Sequence, residues 1–356
     1  MSMTPEWRIT PVDVESGRLP DEWQEINQRC FAGHPLLAAD FFGHLLRWFG
    51  DARVRMASLV EDGVCLGVVL VQPVSKAGQR WQLFQPSQAP LGPIMLDHER
   101  VDTTRALSEL MKVLPGFALQ LDLTLLDPAF CKLPEDGGRA ELLQHCTTMA
   151  VANEGSFEEY FNTRPRKLRS NLRRYAKRLQ QDGFNERLEL VTDPEAVAHA
   201  VDQHGDIETA GWKGSEGTAM HRDNIQGQFY RAYMRELASR GRGFVYRLWL
   251  NERMVACWLI VTGGEMGVML KTAYVEDLAK YSVGRLVLIR TLEALFGRPD
   301  LRRLEFYTNA NVDQLEWATD SRPIYHMNFY RYVLLRHGRQ AARRARSQLC
   351  AQSGKD

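Results

Sequence analysis

Apolar and polar positions along this chain switch repeatedly between a period of two and a period of three to four. In the first half, PDEWQEINQRCFAGHPLLAADFFGHLLRWFG has helical spacing. VRMASLVEDGVCLGVVLVQPV and RWQLFQ alternate like strands, and Asp62-Gly63 between alternating apolar residues predicts a hairpin turn. TTRALSELMKVL predicts an amphipathic helix and FALQLDLTLL a strand. PEDGGRAELLQ then breaks the pattern before a short strand, HCTTMAV.

The second half repeats that order. ERLELV reads as a strand, and DPEAVAHAVDQHGDIE as a helix capped by Asp193 with Pro194 in its first turn. QGQFYRAYMRELASR predicts a helix stopped by Gly241. GFVYRLWL, MVACWLIVTG and MGVMLKTAYV predict three strands, with Asn251-Glu252 and Gly263-Gly264 at their turns. SVGRLVLIRTLEALFG is the next helix, closed by Gly297. LRRLEFY, a helical segment around Val312 to Ala318 and a strand near IYHMNFYRYVLL follow. The pattern predicts residues 1–152 as one α/β (α+β) unit, 153–180 as a basic helix, 181–335 as a second unit and 336–356 as a basic tail. The halves share element order without close sequence repetition.

Composition narrows this picture. The chain has 356 residues, 44% apolar and 25% charged, as in ordinary globular proteins, with a net charge of only +1. Six dispersed cysteines and no C-x-x-C predict reduced thiols and neither a disulfide framework nor a metal site. The longest apolar runs are about half of the ~20 residues a membrane helix needs. No apolar signal segment follows Glu6 and Arg8, so a cytoplasmic protein is expected.

Charge is nevertheless concentrated locally. Between Arg164 and Arg178 lie eight basic residues and no acid, with Leu168, Leu172, Tyr175 and Leu179 at helical spacing. That face, including Arg169 and Arg173, suits a solvated surface, an anionic acceptor, phosphates, a membrane surface or tRNA. A second anion-friendly feature is the mouth of the helix that begins near Tyr281, Ser282, Val283, Gly284 and Arg285. Ser282 can cap it, Gly284 permits close backbone approach and Arg285 supplies positive charge. Just upstream, Lys271 interrupts an apolar strand and must snorkel, pair or face a cavity. In ETAGWKGSEGT, Glu208, Trp212, Lys213 and Gly214 fall together after a helix.

The motifs RKLRSNLRRYAKRL, IETAGWKGSEGTAM, FYRAYMRELASRG and LKTAYVEDLAKYSVGRLVL are similar to those of the CelD-like, FemAB-related branch of the GNAT acyltransferases, over about Phe157 to Tyr332. Val283 stands where that branch commonly has proline. The resemblance implies a GNAT fold, here as two tandem GNAT-like units with a mixed, mainly antiparallel sheet, the first degenerate. It implies acyl transfer from acyl-CoA, such as acetyl-CoA, to an amine or hydroxyl of a small-molecule, saccharide or peptide acceptor. An aminoacyl-tRNA donor, as in FemAB relatives, and an inactive GNAT-fold binding module are the alternatives. By resemblance the donor lies on Tyr281, Ser282, Val283, Gly284 and Arg285. Glu208 is the first candidate general base, with Asp277, Glu276 and His326 as rivals, and Lys271 a further candidate base or anion holder. Tyr307 or Tyr274 can return a proton to the leaving thiolate. Trp212, Lys213, Tyr274, Arg169 and Arg173 are candidate acceptor contacts. No G-x-S-x-G or comparable nucleophile context occurs, so direct transfer in a ternary complex is expected.

Overall fold

Alternation at Glu6–Pro11 builds strand β1, which buries Trp7, and the indole N–H of Trp7 donates to Ala106 O. In the computed structural model, which describes residues 5–341, this strand opens the first of two units. That unit comprises the described residues up to Phe31, Leu36–Cys146 and those from Pro323 onward; the second comprises Ala32–Pro35 and Thr147–Arg322.

The first unit continues with α1 (Asp21–Cys30), α2 (Ala39–Phe49), β2 (Arg55–Glu61), β3 (Val64–Pro73), β4 (Arg80–Leu83), β5 (Ile94–Leu96), α3 (Thr103–Val113), β6 (Gln120–Leu126) and the start of β7 (Ala140–Ala152). The apolar run of β3 is buried on both faces, which is why it lacks alternation. Strands β1 to β4 form an antiparallel meander, and β4 pairs in parallel with β6. Three features differ from the sequence pattern. Strand β1 was not predicted. The long N-terminal helical stretch is interrupted where Ala32 (φ 52°) and Gly33 (φ 66°) adopt left-handed backbone. Strand β7 begins at Ala140, because AELLQ extends the ladder beyond the Gly137-Gly138 turn.

The second unit holds α4 (Phe157–Thr163), the basic helix α5 (Arg166–Gln181), β8 (Glu186–Val191), α6 (Pro194–Ala210), the short α7 (Trp212–Ser215), α8 (Ile225–Ser239), β9 (Gly243–Leu250), β10 (Arg253–Gly263), β11 (Met266–Tyr274), α9 (Val283–Phe296), β12 (Arg303–Glu305), α10 (Val312–Leu315) and the start of β13 (Asp320–Tyr330). Asp193 caps α6 by accepting from Ala196 N at 2.9 Å. Its strands run β8-β9-β10-β11 antiparallel, and β12 is parallel to β11. Both units therefore share one plan of strand, two helices, antiparallel meander, helix and parallel strand. Each takes its last strand from the other half of the chain: Tyr325–Tyr330 of β13 pairs with β6, and Ala150–Ala152 of β7 pairs with β12.

In the second unit Phe244, Tyr246, Trp258 and Met269 pack with Leu286, Ile289 and Leu292 of α9. Alternation sends their neighbours Val245, Cys257 and Leu259 to the opposite face, against which α6 and α8 lie. Residues 342–356, and with them most of the basic tail, lie outside the described residues.

Candidate active site

The parallel pairing of β11 with β12 lasts only from Met266↔Arg303 to Val268↔Glu305. Beyond it, Met269–Tyr274 continues against β10 alone, so this stretch has an open edge on the β12 side. The β10–β11 register shifts between Leu259↔Lys271 and Ile260↔Met269, which makes Leu270 the extra residue of a bulge. The bulge falls where the two parallel strands part.

Strand β11 leads to the mouth of α9. Ser282 sits at the N-cap in left-handed backbone (φ 50°, ψ 51°), and its side chain caps nothing in α9. The expectation of a serine cap is thus corrected: in this conformation the hydroxyl turns away from the first helical amides. Ser282 O accepts from Arg285 N and Leu286 N, whereas Val283 and Gly284 carry the first N–H groups, which have no acceptor within a helix. No acid lies in this first turn. The exposed Tyr274 ring packs against Gly284, where a Cβ would lie 2.9 Å from it. Tyr281 and Val283 are buried; the Tyr281 hydroxyl donates to Asp182 at 2.5 Å. Arg285 pairs with Asp313 at 2.7 Å.

Helix α5 docks beside this mouth, with Arg178 donating to Lys280 O at 2.8 Å. Burial pushes the Tyr175 phenol up, but hydrogen bonds with Ser282 and Arg174 and the charges of Arg285 and Arg174 bring it below its ordinary value. Arg169 turns back onto Arg164 O at 3.1 Å, while Arg173 is exposed.

On the other face of β11, the structure brings Glu208, Lys213, Trp212 and Lys271 together. Glu208, in the last turn of α6, is only 5% exposed. Lys213 donates to its Oε1 and Met220 N to its Oε2, the latter at 3.0 Å. Burial pushes Glu208 up, but Lys271, Lys213 and the Met220 N–H outweigh it and hold the carboxyl below its ordinary range. Donors that stabilise the ionised form lower its basicity. Burial draws Lys271 down, Glu208 opposes this and Lys213 adds to it. The Lys271 ammonium lies 5.0 Å over the Tyr230 ring. Trp212, by contrast, is 55% exposed, and its backbone N–H donates to Glu276 Oε1 at 3.1 Å.

Tyr307 stands apart from Glu208, just past β12, in strained left-handed backbone (φ 43°). Its hydroxyl lies 2.7 Å from His34 Nε2 and 3.4 Å from Arg322 Nη2. Arg322 also pairs at 3.0 Å with buried Glu305, whose carboxyl burial pushes up against the opposing charges of Arg322 and Arg303. His34, His204, Glu305 and Arg322 carry no sequence signal, because only tertiary packing places them here. Asp277 is an exposed partner of Arg253 at 2.7 Å. His326 belongs to the first unit, where it accepts from Leu125 N at 3.1 Å and lies 4.2 Å from the His145 ring. Among the described residues no three His, Cys, Asp or Glu side chains are grouped to hold a metal, and no helix is long and apolar enough to cross a membrane.

The first unit fills its own equivalent positions. Beyond the β4–β6 pairing, Gln85 bonds Thr124, and Gly92 N donates to Leu125 O at 3.0 Å. Buried Ala89 and Leu91 occupy the intervening segment. The mouth of α3 is closed by Asp102, which accepts from Arg105 N at 2.7 Å.

Residues 166–315 match the Acetyltransf_6 family model, an acetyltransferase (GNAT) domain. No curated protein sequence matches the chain. Among solved structures, it is similar to the C-terminal DUF2156 domain of a putative lysylphosphatidylglycerol synthetase from Agrobacterium fabrum, at 13% identity and a TM-score of 0.54, covering 86% of this chain and 90% of that one. It is also similar to L-PGS from Bacillus licheniformis, at 13% identity and a TM-score of 0.50, covering 90% and 94%. At such identity the likeness is one of fold. Motif, element order and parted parallel strands agree with the family match: residues 166–315, within the second unit, are those of a GNAT acetyltransferase domain, and the first unit repeats the same order of elements.

Proposed function

We propose that this chain transfers an acyl group, such as acetyl, from acyl-CoA to an amine or hydroxyl acceptor, within its second unit. The observation that carries this reading is the open edge of Met269–Tyr274 leading to an α9 mouth with no side-chain cap and no acid in its first turn. An extended pantetheine arm can pair with such an edge, and a diphosphate suits the Val283 and Gly284 amides beside Arg285. Tyr274 is exposed and can move off Gly284.

The acceptor nitrogen or oxygen bonds to the acyl carbon, the carbon–sulfur bond breaks, and CoA leaves as a thiolate. Tyr307, held by His34 and Arg322, is the proton donor to that thiolate; the proton the acceptor loses passes to solvent water, and solvent returns one to the Tyr307 phenolate, so the transfer is balanced. Backbone N–H groups of the open edge can polarise the thioester carbonyl. Glu208, bound to Lys213 and Met220, fixes the Trp212–Met220 segment along the acceptor side.

An aminoacyl-tRNA donor draws on the exposed cations of α5, Arg166, Lys167, Arg173, Arg174 and Lys177. It requires charged-tRNA binding that falls steeply with salt. Acetyl-CoA at millimolar concentration should raise the melting temperature of the wild type by several degrees. Arg285→Glu, which reverses charge at the mouth, should abolish that rise. No rise in the wild type, or an equal rise in the variant, removes the assigned donor site.

A further inference from the structure

The α6 side of β11 carries more positive charge and more unsatisfied polarity than its packing requires. One carboxylate, Glu208, faces two ammonium groups, Lys213 and Lys271. Lys213 and the Met220 N–H engage its oxygens directly. Lys271 is left with the Tyr230 ring and, among the described residues, no hydrogen-bond acceptor. His204, one turn before Glu208, is 0% exposed, and neither ring nitrogen has a hydrogen-bond partner. Burial draws that imidazole down to about 3, so it is neutral under physiological conditions.

A buried polar group left without a partner destabilises the fold, and an uncompensated ammonium does so more. With His204 neutral, two ammoniums against one carboxylate leave one spare positive charge. Lys271 is partly exposed, whereas Glu208 and His204 lie buried, so of these groups the ammonium is the one that solvent reaches. One spare charge matches a monoanion; a phosphate dianion would add negative charge beside Glu208. Lys271 also stands on the very stretch of β11 whose other edge is open.

We propose that Lys271 and His204 form a recognition pocket for a carboxylate on the acceptor, so that the substrate class is an amine or hydroxyl compound bearing a free carboxylate, such as an amino acid. Lys271 supplies the countercharge and the neutral imidazole an N–H donor. Anchoring the acceptor there holds its nucleophile beside the donor arm. This substrate class rests on the acyl-CoA reading above.

Thermal shift tests it with a panel of common amino acids, each against its own carboxamide, with and without acetyl-CoA. At least one acid should raise the melting temperature by several degrees where its amide does not. Lys271→Gln should lose that difference while keeping the shift caused by acetyl-CoA. Lys271→Met should melt about 2–4 °C higher than wild type without ligand, because an apolar chain replaces a half-buried ammonium that has no hydrogen-bond acceptor; an ammonium with a purely structural role would give a lower value. The pocket is overturned if no acid outperforms its amide, if Lys271→Gln keeps the preference, or if Lys271→Met is less stable. A missing acetyl-CoA shift alongside an acid-selective one would instead overturn the donor site and leave the pocket standing.

Discussion

Glu208 shows how residue identity and residue environment part company. Its place in the last turn of a helix is compatible with exposure, yet its side chain is buried and its two oxygens are committed to Lys213 and Met220. Trp212, four residues on, is exposed although its size suggests a core anchor. Sequence proximity gathered these residues correctly, because they flank one helix end. It could not show which way each side chain turns. His204 was invisible for the same reason, as a lone histidine on a helix acquires meaning only from what packs around it. The carboxyl of Glu208 is lowered on folding, so its contribution to stability is present above the unfolded carboxylate range near pH 4.3 and is lost as pH falls through the lower folded value. Glu208→Gln should cost about 2 kcal/mol at neutral pH. The difference in melting temperature between variant and wild type should shrink below about pH 4. A gap independent of pH would show that the charge on Glu208 is not what stabilises the segment.

Elements were more legible than side chains. The caps and turns at Asp193, Asn251 and Gly264 lie where the sequence places them, because these residues act locally. The exchanged final strands were not legible, since pairing partners far apart in sequence leave no local pattern. Nor was the parting of β11 from β12, which depends on where a three-residue ladder stops. The start of α9 lies where the sequence places it, but the left-handed backbone of Ser282 replaced the expected cap. Arg285 is held there by Asp313 at 2.7 Å, a pair in which Asp313 is largely exposed. Releasing it by Asp313→Asn should tighten acetyl-CoA binding about two- to five-fold at low salt, with the gain fading as salt screens the charge. Calorimetric titration at two salt concentrations measures this. Weaker binding in the variant would mean that Asp313 orients Arg285 for the donor.

Over the whole molecule, duplication of a plan need not mean duplication of a site. Both units have a meander, a helix and a parallel strand, yet the first fills its parted strands with Gln85–Gly92 and caps its helix with Asp102. The second leaves the corresponding strand edge unpaired and its helix mouth without a side-chain cap, with the exposed Tyr274 ring lying against Gly284. With a net charge of only +1, the basic face of α5 is a local feature beside the α9 mouth. One donor per chain, bound in the second unit, is therefore the central claim. Amide hydrogen exchange with and without acetyl-CoA tests it most directly. Protection should appear at Met269–Tyr274 and at Val283 and Gly284, with no change at Gln85–Leu96 or at the start of α3. Protection confined to the first unit, or no protection at β11 and α9 under saturating acetyl-CoA, would contradict it.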